Sequence, residues 1–183
     1  MRQVVGVDLF LNASGFFALL VLLIFPWINP VPAETDVPPP GQIYVKITWN
    51  AHVDVDLWLK SPDDPLAVGY SRKDAQTAWA LLRDDLGNDP DPHNEETGFA
   101  RSMPAGQYVV NLHLYRGAAP MPVQVEIVLM SPGKPAVRFF SETIILYAEK
   151  QERTVLSFRL DDKGKLVPFS VNKVFVPLRS GAK

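Results

Sequence analysis

The chain has 183 residues, of which 21% are charged, with a formal net charge of −2 and no cysteine. The absence of cysteine excludes disulfide bonds, thiolate metal sites and cysteine nucleophiles. The nearly neutral charge balance argues against nucleic-acid binding, which needs a basic surface, and the length allows one ordinary domain with an appendage.

An apolar segment near the N-terminus predicts a single transmembrane helix. Sixteen of the twenty residues 9–28 are apolar, and twenty helical residues cross about 30 Å, the thickness of a bilayer core. Arg2 precedes the segment and two acids follow it, so the positive-inside rule places the N-terminus in the cytoplasm. We therefore expect residues 1–28 to form a cytoplasmic tip and a helix in the inner membrane. The alternative is a secretory signal peptide cleaved after Ala33.

The rest of the chain divides into a linker and one folded domain. Six of the seventeen prolines fall within residues 26–40, which is typical of an extended, semi-rigid spacer. We assign residues 29–40 to this linker and residues 41–183 to a periplasmic domain.

Hydrophobic alternation with a period of two predicts that this domain is built of strands. Apolar and polar residues alternate along residues 43–49, 108–114 and 123–129, as expected for half-buried antiparallel strands. No helical period appears, so we predict an all-β domain, a β-sandwich with a jelly-roll-like arrangement. The further strands are predicted at residues 54–60, 66–71, 78–83, 137–147, 152–160 and 165–176.

Asp8 is the residue of the apolar segment with the clearest functional interpretation. An ionisable side chain inside a membrane helix is costly and points to a function. Asn12 and Gly15 share its helical face, which would suit packing against other protein helices. The alternative is that Asp8 lies near the lipid headgroups as a helix N-cap.

The same segment resembles a family of membrane proteins. Asp8-Leu9, six further residues, Phe16-Phe17 and an aliphatic run are similar to the single membrane helix of flagellar stator B subunits and of ExbD and TolR proteins. The resemblance implies a non-enzymatic subunit of an ion-driven motor. In such complexes two of these helices, from a homodimer, lie inside a ring of multi-helix A-type subunits, and Asp8 would carry the ion, which we expect to be a proton.

A second resemblance concerns the predicted domain. Residues 54–62 follow the pattern D-x-D-L-x-L-x-x-P, an acidic loop comes next, and residues 104–108 follow P-x-G-x-Y. This pattern resembles extracytoplasmic β-sandwich domains that accompany von Willebrand-type modules, and pre-peptidase C-terminal domains. It implies a fold rather than an activity.

Acidic residues in this region suggest a calcium site. Asp54 and Asp56 share one strand face, and residues 84–96 hold six acids, beginning with Asp84 and Asp85. Carboxylate oxygens are the ligands that calcium prefers, so we take Asp54, Asp56, Asp84 and Asp85 as candidate ligands. The alternative is that these acids are solvated turn residues.

The sequence therefore supports two functional hypotheses. The first is the B-type subunit of an ion-driven membrane motor. The second is a membrane-anchored periplasmic binding module, or an accessory subunit of another membrane complex, whose sandwich recognises a cell-envelope ligand. No nucleophile elbow and no phosphate-binding glycine loop occurs in the sequence, so we expect a protein that is not an enzyme.

Overall fold

A computed structural model describes residues 11–21, 43–75, 77–88, 93–130 and 135–179. Residues 11–21 form an α-helix whose side chains are exposed, and Asn12 and Gly15 lie on it. Among the described residues, no helix combines the length and apolarity needed to cross a membrane. Asp8, both ends of the predicted span (residues 9–10 and 22–28) and the linker lie outside the described residues. The helix and the strands belong to two units of the chain, divided between Val37 and Pro38.

The second unit is built of strands, which confirms the all-β prediction. Eight strands are described in two antiparallel sheets, which have the orders β3-β4-β1-β6-β7 and β2-β5-β8. The strands are β1 (Ile43–Asn50), β2 (Asp54–Lys60), β3 (Trp79–Arg83), β4 (His93–Ala100), β5 (Gly106–Arg116), β6 (Met121–Leu129), β7 (Val137–Leu146) and β8 (Glu152–Leu160).

The two sheets share one apolar core, as in a β-sandwich. In β1, every second residue from Ile43 to Trp49 is buried, which is the pattern that the alternation predicts. Val55, Leu57 and Leu59 of β2 enter the same core from the other sheet. The opposite face of β2 carries Asp54, Asp56 and Trp58, because successive side chains of a strand point to opposite sides.

Two of the predicted strands are wrong, and one strand of the structure was not predicted. Residues 66–71 and 165–176 contain only isolated bridges, such as Val68 with Leu59 and Asn172 with Ser157. Conversely, β4 occupies part of the sequence that we read as an acidic loop. Its sequence, HNEETGFA, has no apolar alternation. It forms a strand because β1 and β3 pair with it on both sides.

Residues 176–179 lie on the outer face of the three-stranded sheet, after Asn172 has paired with Ser157 at the edge of β8. The Val176 amide donates a hydrogen bond to Thr154 Oγ1 (2.9 Å), and the Leu178 amide donates to Glu152 Oε1 (2.8 Å). Leu178 is buried against a small apolar cluster that includes Trp58. This segment therefore covers a sheet face that would otherwise be exposed.

Candidate metal centre

Three carboxylates converge where the edges of the two sheets meet. Asp56 of β2, Asp84 immediately after β3 and Glu96 of β4 each offer one oxygen, and these oxygens lie within 4.8 Å of one another. β2 is an edge strand of its sheet, while β3 and β4 form one border of the other sheet. The pairing of distant strands therefore creates the cluster.

Glu96 is the most deeply buried member of the cluster. Its side chain is only 1% exposed, and its Oε2 accepts a hydrogen bond from the Leu57 amide (2.7 Å). Its Oε1 accepts a longer one from the Asp85 amide (3.3 Å). Burial raises the pKa of Glu96 to about 9, and the neighbouring carboxylates add to the shift. Glu96 is therefore protonated at neutral pH unless a cation replaces its proton.

A buried chain of side chains holds Asp56 in place. Nδ1 of His113 lies 2.7 Å from Asp56 Oδ2, and Nη1 of Arg179 lies 2.6 Å from His113 Nε2. Because a guanidinium can only donate, Nε2 must accept and the ring proton must be on Nδ1, which donates to Asp56. Both nitrogens of His113 are thus engaged, so this histidine positions a carboxylate and does not itself present a nitrogen to a metal.

Two further carboxylate oxygens have unused hydrogen-bonding capacity. Asp84 Oδ2 is paired with Lys73 Nζ at 2.8 Å, but its Oδ1 is buried and has no hydrogen-bond partner among the described residues. Asp54 is 4% exposed, and its Oδ1 likewise has none there. Burial, followed by the charge of Asp56, raises the pKa of Asp54 to about 6. Buried oxygens without donors are costly in a protein interior, and a cation would satisfy them.

The carboxylates of β2 open onto a cavity. Its volume is about 180 Å³, and its lining combines acids with large side chains. The pairing of β2 with β5 shifts register between Asp54 and Val55, so that Tyr115 is the extra residue on β5; such irregularities often redirect side chains beside functional sites. The cavity is lined by Asp54, Asp56, Tyr70, Asp84, Leu86 and Tyr115.

The four predicted calcium ligands are not equivalent in the structure. Asp56 and Asp84 belong to the cluster, and Asp54 lies in the same cavity. The carboxylate of Asp85 is directed elsewhere, since it pairs with Arg83 (3.0 Å) and accepts from the Gly87 amide (3.0 Å). Asp85 shapes the loop and contributes only its backbone amide to the site.

Sequence reasoning missed Glu96 and the pair that holds Asp56. Glu96 stood among the acids of the predicted loop, and only the position of β4 between β1 and β3 shows that it is buried. His113, which no sequence motif singles out, is fully buried. It lies on β5 directly opposite Asp56. The pairing of β5 with β2 determines this position, and the sequence pattern of either strand alone does not show it.

The donor set is suited to a hard cation. All the available groups are carboxylate oxygens, which favour Ca²⁺ or Mg²⁺ over softer metals. Calcium takes ligands at 2.3–2.6 Å, so two oxygens on one ion are separated by at most about 5 Å, and the three oxygens of the cluster lie within this limit. This geometry is the basis for a functional assignment, because no family model, no curated protein and no solved structure matches the chain.

Proposed function

We propose that the β-sandwich is a calcium-binding module, the ligand-recognising part of an anchored binding protein. The single observation that carries the proposal is the convergence of Asp56, Asp84 and Glu96 at the border of the two sheets. Because these ligands come from β2, from β4 and from the segment directly after β3, a bound ion would tie the two sheets together. The jelly-roll-like connectivity and the membrane anchor of the predicted architecture remain part of this proposal.

Two features of the surroundings support a cation in preference to solvated acids. The oxygens of Asp54 and Asp84 that lack a partner among the described residues need positive charge or donors, and a buried carboxyl such as Glu96 is stabilised in its ionised form by a cation. Extracellular calcium modules bind with dissociation constants of about 10⁻⁴–10⁻³ M, so the proposed periplasmic location would suit a site of moderate affinity.

Thermal unfolding of the full chain in detergent, with calcium or with EDTA, tests this proposal. Calcium binding to the folded state raises the melting temperature by mass action. We expect this increase for the wild type and for the control Asp162→Asn, which alters an exposed turn, and its loss in Asp84→Asn. Equal melting temperatures of the wild type in calcium and EDTA would contradict the proposal, as would a full calcium response of Asp84→Asn.

A second proposal concerns the N-terminal segment, as the B-type subunit of an ion-driven motor. Asn12 and Gly15 lie three residues apart on a described helix and therefore on neighbouring turns of one face. This placement agrees with the packing stripe expected beside Asp8, which would carry the proton. The two proposals are compatible, because one concerns the membrane segment and the other concerns the sandwich.

Purification in mild detergent followed by native mass spectrometry tests the motor proposal. A multi-helix A-type partner at five copies to two of this chain would support it, and Asp8→Asn should keep the assembly while abolishing ion-coupled function. A chain that purifies alone would contradict it and favour a passive anchor. Replacement of the segment by an unrelated membrane span would then leave binding by the sandwich intact.

A further inference from the structure

The cavity is lined by two aromatic rings as well as by acids, and these rings are held in place. Tyr70 and Tyr115 are 41% and 38% exposed, and their ring centroids are 6.0 Å apart. Buried Trp58 packs edge-on against Tyr70 at 5.6 Å. Tyr115 lies at 6.0 Å from the buried His113 ring. These buried neighbours limit the movement of both tyrosines, so the cavity presents ring surfaces beside the metal centre.

A calcium ion at the metal centre needs more oxygens than the three clustered carboxylates of the described residues offer, one from each. Calcium takes six to eight oxygen ligands, whereas the converging carboxylates provide three single-oxygen contacts. Asp54 adds a second, independent indication of a ligand, because it is more than nine-tenths buried, lines the cavity and leaves Oδ1 without a donor among the described residues. The remaining ligands of an ion at this position would come from the cavity, either as water or as ligand oxygens.

The charges around the cavity determine which chemical class of ligand could supply these oxygens. The four carboxyl groups Asp54, Asp56, Asp84 and Glu96, once ionised, carry more charge than one divalent ion neutralises, so a carboxylate or phosphate ligand would be repelled. Two lysines near the cavity would repel an ammonium ligand. Nζ of Lys73 lies 2.8 Å from Asp84 Oδ2, and Nζ of Lys150 lies 4.0 Å from the centroid of the Tyr115 ring. Neutral hydroxyl groups fit both constraints.

We propose that this cavity binds a sugar ring of a polysaccharide, with two adjacent hydroxyl groups completing the calcium sphere. The apolar C–H face of the sugar packs on Tyr115 and Tyr70, which combine a large apolar surface with little conformational freedom. This inference rests on the proposed calcium site, since the ion supplies the contact to the hydroxyls. It adds a ligand class to that site: a neutral, hydroxylated ring with an apolar face.

Isothermal titration of the full chain with methyl α-mannoside, methyl β-galactoside and methyl α-glucoside tests the inference. The detergent must have no sugar headgroup, because such a headgroup would compete for the cavity. We expect at least one glycoside to bind in calcium and none in EDTA. Tyr115→Ala should lower the sugar affinity about tenfold or more, whereas Tyr147→Ala, an exposed tyrosine outside the cavity, should not.

Titration of the same variants with calcium alone separates the two proposals. Tyr115→Ala should keep the calcium affinity of the wild type, because the ring supplies no metal ligand. If calcium binds and no glycoside does, or if glycosides bind equally in EDTA, the sugar inference is wrong and the calcium site stands. Binding of a trimethyllysine peptide in place of the glycosides would likewise overturn it. If calcium itself does not bind, both proposals fail.

Discussion

Replacement of Glu96 by glutamine tests the electrostatics of the metal centre without the metal. The pKa of Glu96 is about 9 in the folded chain against an ordinary value of 4.5. Below pH 4.5 both states are protonated; above it the unfolded chain loses the proton that the folded chain keeps, until the pH reaches about 9. The contribution of Glu96 to the free energy of unfolding is therefore most favourable at low pH and falls across this window by about 1.4 kcal/mol for each pH unit.

pH 7 lies two and a half units above the ordinary pKa of 4.5. At pH 7 the ionisable side chain therefore reduces the free energy of unfolding by about 3 kcal/mol. Glutamine has no proton to lose and avoids this penalty. It keeps the short hydrogen bond from Leu57 and gives up the longer one from Asp85, 3.3 Å in the wild type, at a cost of about 1 kcal/mol. We expect Glu96→Gln to be about 2 kcal/mol more stable than the wild type at pH 7 in EDTA.

Urea unfolding at several pH values between 4.5 and 9 measures this difference. The stability advantage of Glu96→Gln should grow with pH and turn into a small deficit near pH 4.5. Calcium should reverse the order at pH 7, because only the wild type keeps the third carboxylate ligand. An advantage that does not change with pH, or a variant that is less stable than the wild type in EDTA at pH 7, would refute the reasoning.

Three further predictions follow from the site and the core. Arg179→Ala removes the donor that fixes the imidazole beside Asp56 and should lower the calcium affinity about tenfold. Calcium titrations should show partial recovery in Arg179→Lys and no change in the control Arg159→Ala. Equal affinities of all the variants would contradict this positioning role. The calcium affinity of the wild type should rise with pH up to about 9 because the ion displaces the proton of the buried glutamate, and a flat profile would contradict it. Gly98→Ala would place a Cβ 2.3 Å from Leu59 Cδ1 and should lower the free energy of unfolding by about 1–3 kcal/mol; unchanged urea unfolding would show that the core gives way.

The sequence predicts the sandwich well wherever one strand face is apolar. The alternation of β1 and β6 is visible in the sequence because each buries one face in the shared core. The same rule places Asp54 and Asp56 on one face of β2, which is half of the candidate site. These features are local, since each depends only on the order of residues within one strand.

The remaining half of the site depends on contacts between distant segments. β4 has a polar sequence and is a strand only because β1 and β3 pair with it. The residues next to Glu96 in the sequence therefore do not indicate that its side chain is buried. Arg179 reaches His113 across 66 residues of chain. Residues 66–71 show the reverse case, in which a strand-like sequence pairs only through isolated bridges.

The position of β1 has a mechanical consequence for a tethered module. β1 is the first strand of the sandwich and also the middle strand of its sheet, paired with β4 on one side and β6 on the other. A pull from the N-terminal side enters at Ile43 and acts along the strand, while the hydrogen bonds of antiparallel ladders run perpendicular to it. The hydrogen bonds of both ladders are then loaded in shear and share the force. An edge strand that is pulled away sideways would instead lose its hydrogen bonds one at a time.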